Sequence, residues 1–136
     1  MIELNQNIKI IGYNARSLRA QDGANRRILL EMINKEKYDI YLINETHLSC
    51  PLPRYYRRNY TIFHKDDEQR KGGAMIIAAQ QLRPTSPFPE LNNKNTQIIK
   101  INTENKEIIV ISAYINPDGR EKINQIKELH KSLQFL

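Results

Sequence analysis

Apolar and polar positions alternate along this chain in short runs, and their spacing predicts both strands and helices. Six short apolar runs predict strands, at residues 7–14, 39–44, 61–65, 72–79, 96–101 and 106–114. Two longer stretches have helical spacing, residues 22–37 with Asp22 as candidate N-cap and residues 119–136 after Asp118. Their apolar stripes are Ile28, Leu29, Met32 and Ile33 in the first helix and Ile123, Ile126, Leu129 and Leu133 in the second. The order predicts an α/β chain that opens with a β-α-β unit of parallel strands.

Length, charge and cysteine content narrow the class of protein. The chain has 136 residues, which fits a single domain over residues 1–136. Its longest apolar run, residues 74–79, is far shorter than the roughly 20 residues that span a bilayer, so we expect no membrane segment. A single cysteine, Cys50, excludes an internal disulfide and fits a reducing compartment. The net charge of +6 favours polyanionic partners such as nucleic acids.

Polar side chains follow three of the predicted strands at the point where each strand ends. Asn14 closes the first strand, Glu45 follows the second, and Tyr114 and Asn116 follow the last. Because ligands of parallel sheets gather beyond the carboxyl ends of the strands, we expect Asn14 and Glu45 to share one edge. A carboxylate and an amide there suit Mg²⁺, which accepts one or two carboxylates, several waters and phosphate oxygens. The alternative is that both side chains simply end their strands in solvent.

Other kinds of site have weaker support in the sequence. The three histidines and the one cysteine do not have the paired spacing of a zinc site. Gly72-Gly73 lacks the glycine spacing of Walker and dinucleotide-binding loops. Residues 50–60 are rich in tyrosine and arginine, which suits either base stacking with phosphate contacts or a solvated loop with its tyrosines against the domain edge. Both interpretations of this loop stay open.

Four motifs occur in an order that resembles a known superfamily. They are "IIGYNARSL", "YDIYLINETHL", "RKGGAMII" and "IIVISAYINPDG". Together they resemble the endonuclease/exonuclease/phosphatase superfamily and, more narrowly, the apurinic-type endonuclease domain of non-LTR retrotransposons. The resemblance covers most of residues 7–120. It implies a DNase I-like fold of the α/β (α+β) class, in which this chain forms part of a four-layer β-sandwich with flanking helices.

The resemblance also implies roles for the residues at the strand ends. Asn14 would be the active-site amide, Glu45 the carboxylate that binds Mg²⁺ or Mn²⁺ with help from Asn14, and Tyr114 a contact of the scissile phosphate. Asn116 is assigned to the same site, although the family's asparagine falls where this chain has Pro117. The family's later Asp-x-Asn and Asp-His motifs do not occur in this sequence. We therefore expect the chain to be a fragment, the amino-terminal half of an endonuclease domain, or a decayed or truncated open reading frame, and to be inactive by itself.

The leading hypothesis is an Mg²⁺-dependent DNA endonuclease that nicks DNA for retrotransposition. Its expected partners are DNA, the rest of the endonuclease domain and a downstream reverse transcriptase in the same polyprotein. Its expected location is inside the cell, in the nucleus when it acts on DNA. DNA contacts are predicted at Arg16, Arg57, Arg58, Arg70 and Lys71. Two alternatives stay open, a phosphatase of the same superfamily and a noncatalytic nucleic-acid-binding remnant.

Half of a two-sheet sandwich leaves one inner sheet face without its partner. We therefore expect this chain to be marginally stable, with a broad thermal unfolding transition and association in solution. Melting followed by circular dichroism, together with light scattering, measures both properties. A sharp and cooperative unfolding transition of a monomer would contradict this expectation.

Overall fold

The computed structural model describes residues 7–65, 71–104 and 106–134. The strands and α-helices of these ranges are β1 (Ile10–Asn14), α1 (Gly23–Asn34), β2 (Ile40–Asn44), β3 (Tyr60–His64), β4 (Ala74–Ala79), β5 (Thr96–Asn102), β6 (Glu107–Ala113) and α2 (Gly119–Leu133). Short 3-10 helices occur at Arg54–Arg57, Gln80–Leu82 and Pro89–Leu91. The predicted order of strands and helices is confirmed. The proline-rich segment 80–95, predicted to be irregular, contains two of the short helices.

A four-stranded sheet with the order β1-β2-β4-β3 forms the centre of the fold. Strands β1 and β2 are parallel, as predicted for a β-α-β unit, and β4 is antiparallel to both of its neighbours. Every residue of β4 is buried, which explains its unbroken run of small and apolar side chains. Because α1 connects two parallel strands, the carboxyl ends of β1 and β2 lie at the same edge of the sheet.

The central sheet is covered by a hairpin and by a helix. Strands β5 and β6 form an antiparallel hairpin that packs on β2 and β4. Ile99 and Val110 of the hairpin belong to the same buried cluster as Leu29 of α1. Tyr41 of β2 is fully buried and donates a hydrogen bond to the carbonyl oxygen of Met32 in α1, at 3.0 Å. These contacts hold α1 and the hairpin on the sheet and position the strand ends.

The predicted apolar stripes of the two helices are only partly buried. In α1, Leu29 and Ile33 are buried, but Ile28 of the predicted apolar stripe is 47% exposed. In α2, three stripe residues are 46–54% exposed: Ile123, Ile126 and Leu133. The helical period correctly predicted α2. The period alone did not show whether other segments cover the apolar face of this helix. No helix in the described ranges has the length and apolar character needed to cross a membrane.

Asp22 and Asp118 occupy the predicted N-cap positions, but neither side chain makes a capping hydrogen bond. The Asp22 carboxylate instead accepts a hydrogen bond from the Ser17 hydroxyl at 2.5 Å, and Arg19 Nε lies 3.4 Å from the same oxygen. The Ser17 hydrogen bond and the Arg19 charge hold the pKa of Asp22 below its usual value. Asp22 therefore fixes the segment that leaves β1 rather than the first turn of α1.

Candidate active site at the strand ends

Parallel pairing places two of the predicted site residues on neighbouring strands. Asn14, the last residue of β1, is the register partner of Asn44, the last residue of β2. Glu45 directly follows Asn44. Asn14 and Glu45 therefore leave the same edge of the sheet side by side, as the sequence predicts for parallel strands.

Backbone hydrogen bonds continue past the ends of both strands. The Ser17 N–H donates to the Glu45 carbonyl oxygen at 2.8 Å, and the Leu18 N–H donates to the Thr46 carbonyl oxygen at 2.8 Å. These bonds extend the β1–β2 pairing through the two motifs that the sequence singles out. The segment after Asn14 therefore has a defined position relative to the segment that carries Glu45.

Both strand ends contain backbone conformations that residues other than glycine rarely adopt. Backbone φ is positive at Arg16, Ser17, Glu45 and His47, with values from 52° to 90°. These are four of the six non-glycine residues with positive φ in the described part of the chain. Each such conformation costs roughly 1–3 kcal/mol unless the surrounding structure imposes it, and such strain clusters at functional sites. A hydrogen bond between the two segments fixes the backbone at two of these residues, Ser17 and Glu45.

The oxygen atoms at this edge match the ligands that Mg²⁺ prefers. Glu45 supplies a half-buried carboxylate. Asn14 is exposed, and its Oδ1 accepts the Arg16 N–H at 2.9 Å, which fixes the orientation of the amide. Asn44 Oδ1 is buried and has no hydrogen-bond partner among the described residues. No group of three His, Cys, Asp or Glu side chains suited to a metal occurs in the described ranges. One carboxylate with nearby amide oxygens suits a cation that retains several waters.

Gly72 and Gly73 allow two side chains to approach the backbone just before β4. Their φ values are +58° and +103°, a region that favours glycine. A Cβ atom on Gly73 would collide with Thr46 Oγ1, and one on Gly72 would lie 2.9 Å from ring atoms of Tyr114. Thr46 is fully buried, and its hydroxyl oxygen lies 3.2 Å from His64 Nε2. The glycine pair therefore brings the Tyr114 ring and the segment after β2 to the same place.

The environment of Tyr114 keeps its phenol protonated. Burial raises the pKa of Tyr114, and the carboxylates of Glu45, Asp118 and Glu121 raise it further. The phenol is therefore neutral at neutral pH and keeps an O–H group that donates hydrogen bonds. A donor of this kind suits an anionic phosphate oxygen. The Tyr114 ring lies against Gly72, and the Gly72 carbonyl oxygen accepts the His47 N–H, so the third strand end lies beside the segment that follows β2.

Asn116 is held by the first turn of α2. Its backbone N–H donates to Gln125 Oε1 at 2.6 Å, and its Nδ2 donates to Glu121 Oε2 at 2.8 Å. Its Oδ1 accepts the Asp118 N–H at 3.0 Å. The side chain therefore organises the connection between β6 and α2, and a catalytic role for Asn116 stays a prediction.

The predicted DNA contacts lie at different parts of the surface. Arg16 and Lys71 are exposed and adjoin the strand ends that carry the site. Arg57 is exposed and lines a small cleft over the edge strand β3. Arg58 precedes β3 by two residues, at the end of the sheet opposite to the candidate site. Arg70 lies outside the described residues.

The tyrosines of residues 50–60 divide between the core and the surface. Tyr56 and Tyr60 are buried, and the Tyr56 hydroxyl donates to the Arg26 carbonyl oxygen at 3.4 Å. Tyr55 is 54% exposed and stacks on Tyr56 with 4.9 Å between ring centroids. Packing against the domain edge therefore explains Tyr56 and Tyr60, while Tyr55 presents a ring to solvent.

Endonucleases are among the solved structures that share this architecture. No family model matches the chain, and no curated protein matches it. The endonuclease domain of TRAS1, a telomere-specific non-LTR retrotransposon, matches with a TM-score of 0.64 and 22% identity over 93% of this chain and 54% of that domain. The chain has the fold of an apurinic-type endonuclease. The expected DNase I-like fold is confirmed.

Two further structures support this fold. The AP endonuclease LMAP from Leishmania major matches with a TM-score of 0.66 and 15% identity, over 92% of this chain and 45% of that protein. The catalytic domain of Xenopus laevis APE2 matches with a TM-score of 0.57 and 17% identity, over 89% of this chain and 49% of that domain. The chain thus spans about half the length of these endonuclease structures.

A cleft of about 580 Å³ opens beside Tyr114 in this endonuclease fold. Side chains of α2 line one part of it, and the residues from Asn93 to Thr96 line another. Sequence reasoning missed Asn95, which lines the cleft and touches both Gly73 and Tyr114. The polar stretch "NNKN" before β5 gives no periodicity signal. The sequence gives one indication of a role for this stretch. It lies just before β5, which pairs with β6, and Tyr114 directly follows β6.

Replacing Gly73 tests the close approach to Thr46. We expect Gly73→Ala to lower the free energy of unfolding by about 1–3 kcal/mol, because the new Cβ meets Thr46 and a positive φ disfavours alanine. Gly12→Ala is the control, since Gly12 has no atom within 4 Å of an added Cβ, and should be neutral or stabilise by up to about 1 kcal/mol. Urea unfolding measures both variants. Equal stability of the two variants would contradict the proposed packing.

Proposed function

We propose that this chain is part of a DNA endonuclease that hydrolyses a phosphodiester bond with Mg²⁺, or with Mn²⁺ in its place. The observation that carries the proposal is the arrangement at one edge of the fold. The ends of β1 and β2 are side by side, and the Tyr114 ring lies against Gly72, whose carbonyl oxygen accepts the N–H of His47 in the segment after β2. The match to endonuclease structures supports the same reaction class.

In the proposed site Glu45 is the protein carboxylate that binds the cation. Its positive φ and the hydrogen bond from Ser17 to its carbonyl oxygen fix the backbone that presents the side chain. When bound, the cation supplies positive charge that offsets the negative charge developing on the phosphate. Asn44 Oδ1, which is buried and has no hydrogen-bond partner among the described residues, would accept a hydrogen bond from a water molecule.

Asn14 and Tyr114 are proposed to orient the scissile phosphate. The Asn14 oxygen already accepts the Arg16 N–H, so the NH₂ group of the amide remains to donate to a phosphate oxygen. The Tyr114 phenol supplies a second donor, since a tyrosine is protonated at neutral pH and burial raises this pKa further. Fixed donors around an anionic group raise the rate by holding it in reactive geometry.

The DNA backbone is proposed to lie over the basic residues nearest this edge. Arg16 and Lys71 adjoin the strand ends, and Arg57 lies over the edge strand β3. Phosphate contacts of this kind hold DNA without reading its sequence. The net charge of +6 adds to the attraction between the chain and DNA. Arg58, at the opposite end of the sheet, would contact DNA farther from the cleaved bond.

The proposed enzyme needs groups beyond those in this chain. The sequence has neither an Asp-x-Asn nor an Asp-His motif. The chain also spans about half the length of the matching endonucleases. We propose that a further segment of the same endonuclease domain activates the water and protonates the leaving group. The likeness to the TRAS1 domain favours a retrotransposon polyprotein with a reverse transcriptase, acting on DNA in the nucleus.

Replacing Glu45 tests the proposed function in a completed domain. This chain is joined to the carboxyl-terminal half of a matching endonuclease and assayed on supercoiled plasmid with Mg²⁺. We expect Glu45→Gln to lower the nicking rate by about 100-fold or more, because the neutral amide binds the cation weakly. Glu31→Gln, an exposed position on α1, should nick like the parent. Equal nicking by the Glu45→Gln variant would overturn the assignment.

Cation binding is also measurable on the chain itself, without turnover. The chain contains five glycines, so ¹⁵N-glycine labelling gives a simple amide spectrum. Gly72 lies against this site, because its carbonyl oxygen accepts the His47 N–H at 2.9 Å. Paramagnetic Mn²⁺ should broaden the Gly72 and Gly73 signals in the parent and in Glu31→Gln, but not in Glu45→Gln. The noncatalytic alternative would instead be favoured if DNA binding depends steeply on salt and its affinity does not change with Mn²⁺ or with Glu45→Gln.

A further inference from the structure

One peptide group connects two of the segments that carry the candidate site. The carbonyl oxygen of Gly72 accepts the His47 N–H at 2.9 Å. The N–H of Gly73, the other side of the same peptide group, donates to Asn95 Oδ1 at 3.0 Å. The peptide between Gly72 and Gly73 is therefore held from one side by the segment after β2 and from the other by Asn95.

Asn95 also holds the third strand end. Its carbonyl oxygen accepts the Tyr114 N–H at 2.8 Å. The same residue thus binds the glycine peptide through its side chain and Tyr114 through its backbone. Its own N–H donates to Asn93 Oδ1 at 2.8 Å, which fixes the conformation of Asn95. The hydrogen bonds form a continuous path from His47 to Tyr114.

The Asn95 side chain is also closely packed against Gly72, beside the Tyr114 ring. A Cβ atom on Gly72 would lie 2.9 Å from the Tyr114 ring and 3.0 Å from Asn95 Oδ1. The ring, the amide and the Gly72 backbone therefore fill one space. A movement of the Asn95 side chain would release both the glycine peptide and one wall of the space that the Tyr114 ring occupies.

We propose that Asn95 is a positioning residue of the active site, setting where the Tyr114 ring lies relative to the Glu45 segment. This inference rests on the proposed function, since it assigns the device that aligns the phosphate donor with the cation-binding carboxylate. Asn95 acts through the glycine peptide and through Tyr114.

The side chain of Asn95, rather than the backbone of its segment, carries this role. The neighbouring backbone bond from the Ala74 N–H to the Lys94 carbonyl oxygen, at 2.8 Å, connects the start of β4 to the same segment. That bond and the β5–β6 pairing do not involve the Asn95 amide. Asn95→Ala therefore removes one acceptor and leaves the surrounding backbone pairing in place. The expected effect is a local misalignment with a modest loss of stability.

The test measures the coupling between Asn95 and Tyr114 in the ¹⁵N-glycine spectrum. In the parent, Tyr114→Leu should shift the Gly72 signal, because the aromatic ring lies against that residue. When Asn95 is already alanine, we expect Tyr114→Leu to shift the Gly72 signal by about half as much or less. The effects of the two substitutions are then not additive, which shows that the residues are coupled. The Gly73 amide signal should also move upfield, as its hydrogen bond is lost. Asn102→Ala, at the other end of β5, is the matched control and should leave both signals unchanged.

Asn95→Asp provides rescue, because its carboxylate keeps an acceptor at the same place. We expect this variant to retain the coupling between Tyr114 and Gly72 seen in the parent. If Asn95 has only a structural role, Asn95→Ala lowers the stability but Tyr114→Leu still shifts the Gly72 signal as it does in the parent. That result overturns the inference. If Asn95→Ala does not fold, the folded Asp variant decides the question. Loss of coupling there also overturns it.

Activity in the completed domain gives the second readout. We expect Asn95→Ala to lower kcat by about 10-fold or more with KM little changed, because alignment for reaction is lost while DNA binding stays. The inference alone is overturned if the parent nicks DNA while Asn95→Ala has a normal kcat and its effect on the Gly72 signal adds to that of Tyr114→Leu. The proposed function would stand in that case. Coupled shifts in a completed domain that never nicks would overturn the proposed function and leave the positioning role of Asn95 supported.

Discussion

The candidate site depends on the parallel pairing of β1 and β2 and its continuation past both strands. Backbone hydrogen bonds run on from the strands to the pairs Ser17–Glu45 and Leu18–Thr46. They involve Ser17 and Glu45, two of the four non-glycine residues with positive φ at this edge. The pairing therefore supplies the free energy that keeps Asn14 and the Glu45 segment in one arrangement. Without it, an amide and a carboxylate distant in sequence would not share an edge.

A second constraint is the absence of side chains at Gly72 and Gly73. Buried Thr46 and the Tyr114 ring approach these glycines more closely than a Cβ would permit. The peptide between the glycines then forms hydrogen bonds on both sides, to His47 and to Asn95. Packing and hydrogen bonding thus converge on one small region, which joins the hairpin to the central sheet at the point where the strand ends meet.

Much of this arrangement could be predicted from sequence, because its signals are local. The period of apolar residues indicated the strands and helices, and the parallel β-α-β unit placed Asn14 and Glu45 at one edge. The motif order indicated the endonuclease fold, which the solved structures confirm. Other features could not be predicted from the sequence, since they depend on tertiary contacts between distant segments or on which faces other segments cover. Ile28 fits the stripe of α1 and is exposed, and Asp22 binds Ser17 instead of capping its helix.

Residue patterns alone predicted the order of strands and helices, the parallel strand pair, the basic charge and the polar residues at three strand ends. Periodicity, composition and residue type act over short distances, so they can be read without coordinates. Folding was needed to show that Asn95 joins the glycine peptide to Tyr114 and that Asn116 binds the start of α2. The tertiary structure also shows that Arg58 lies at the far end of the sheet. Those relations come from chain segments that meet only after folding, and no local pattern encodes the distance between them.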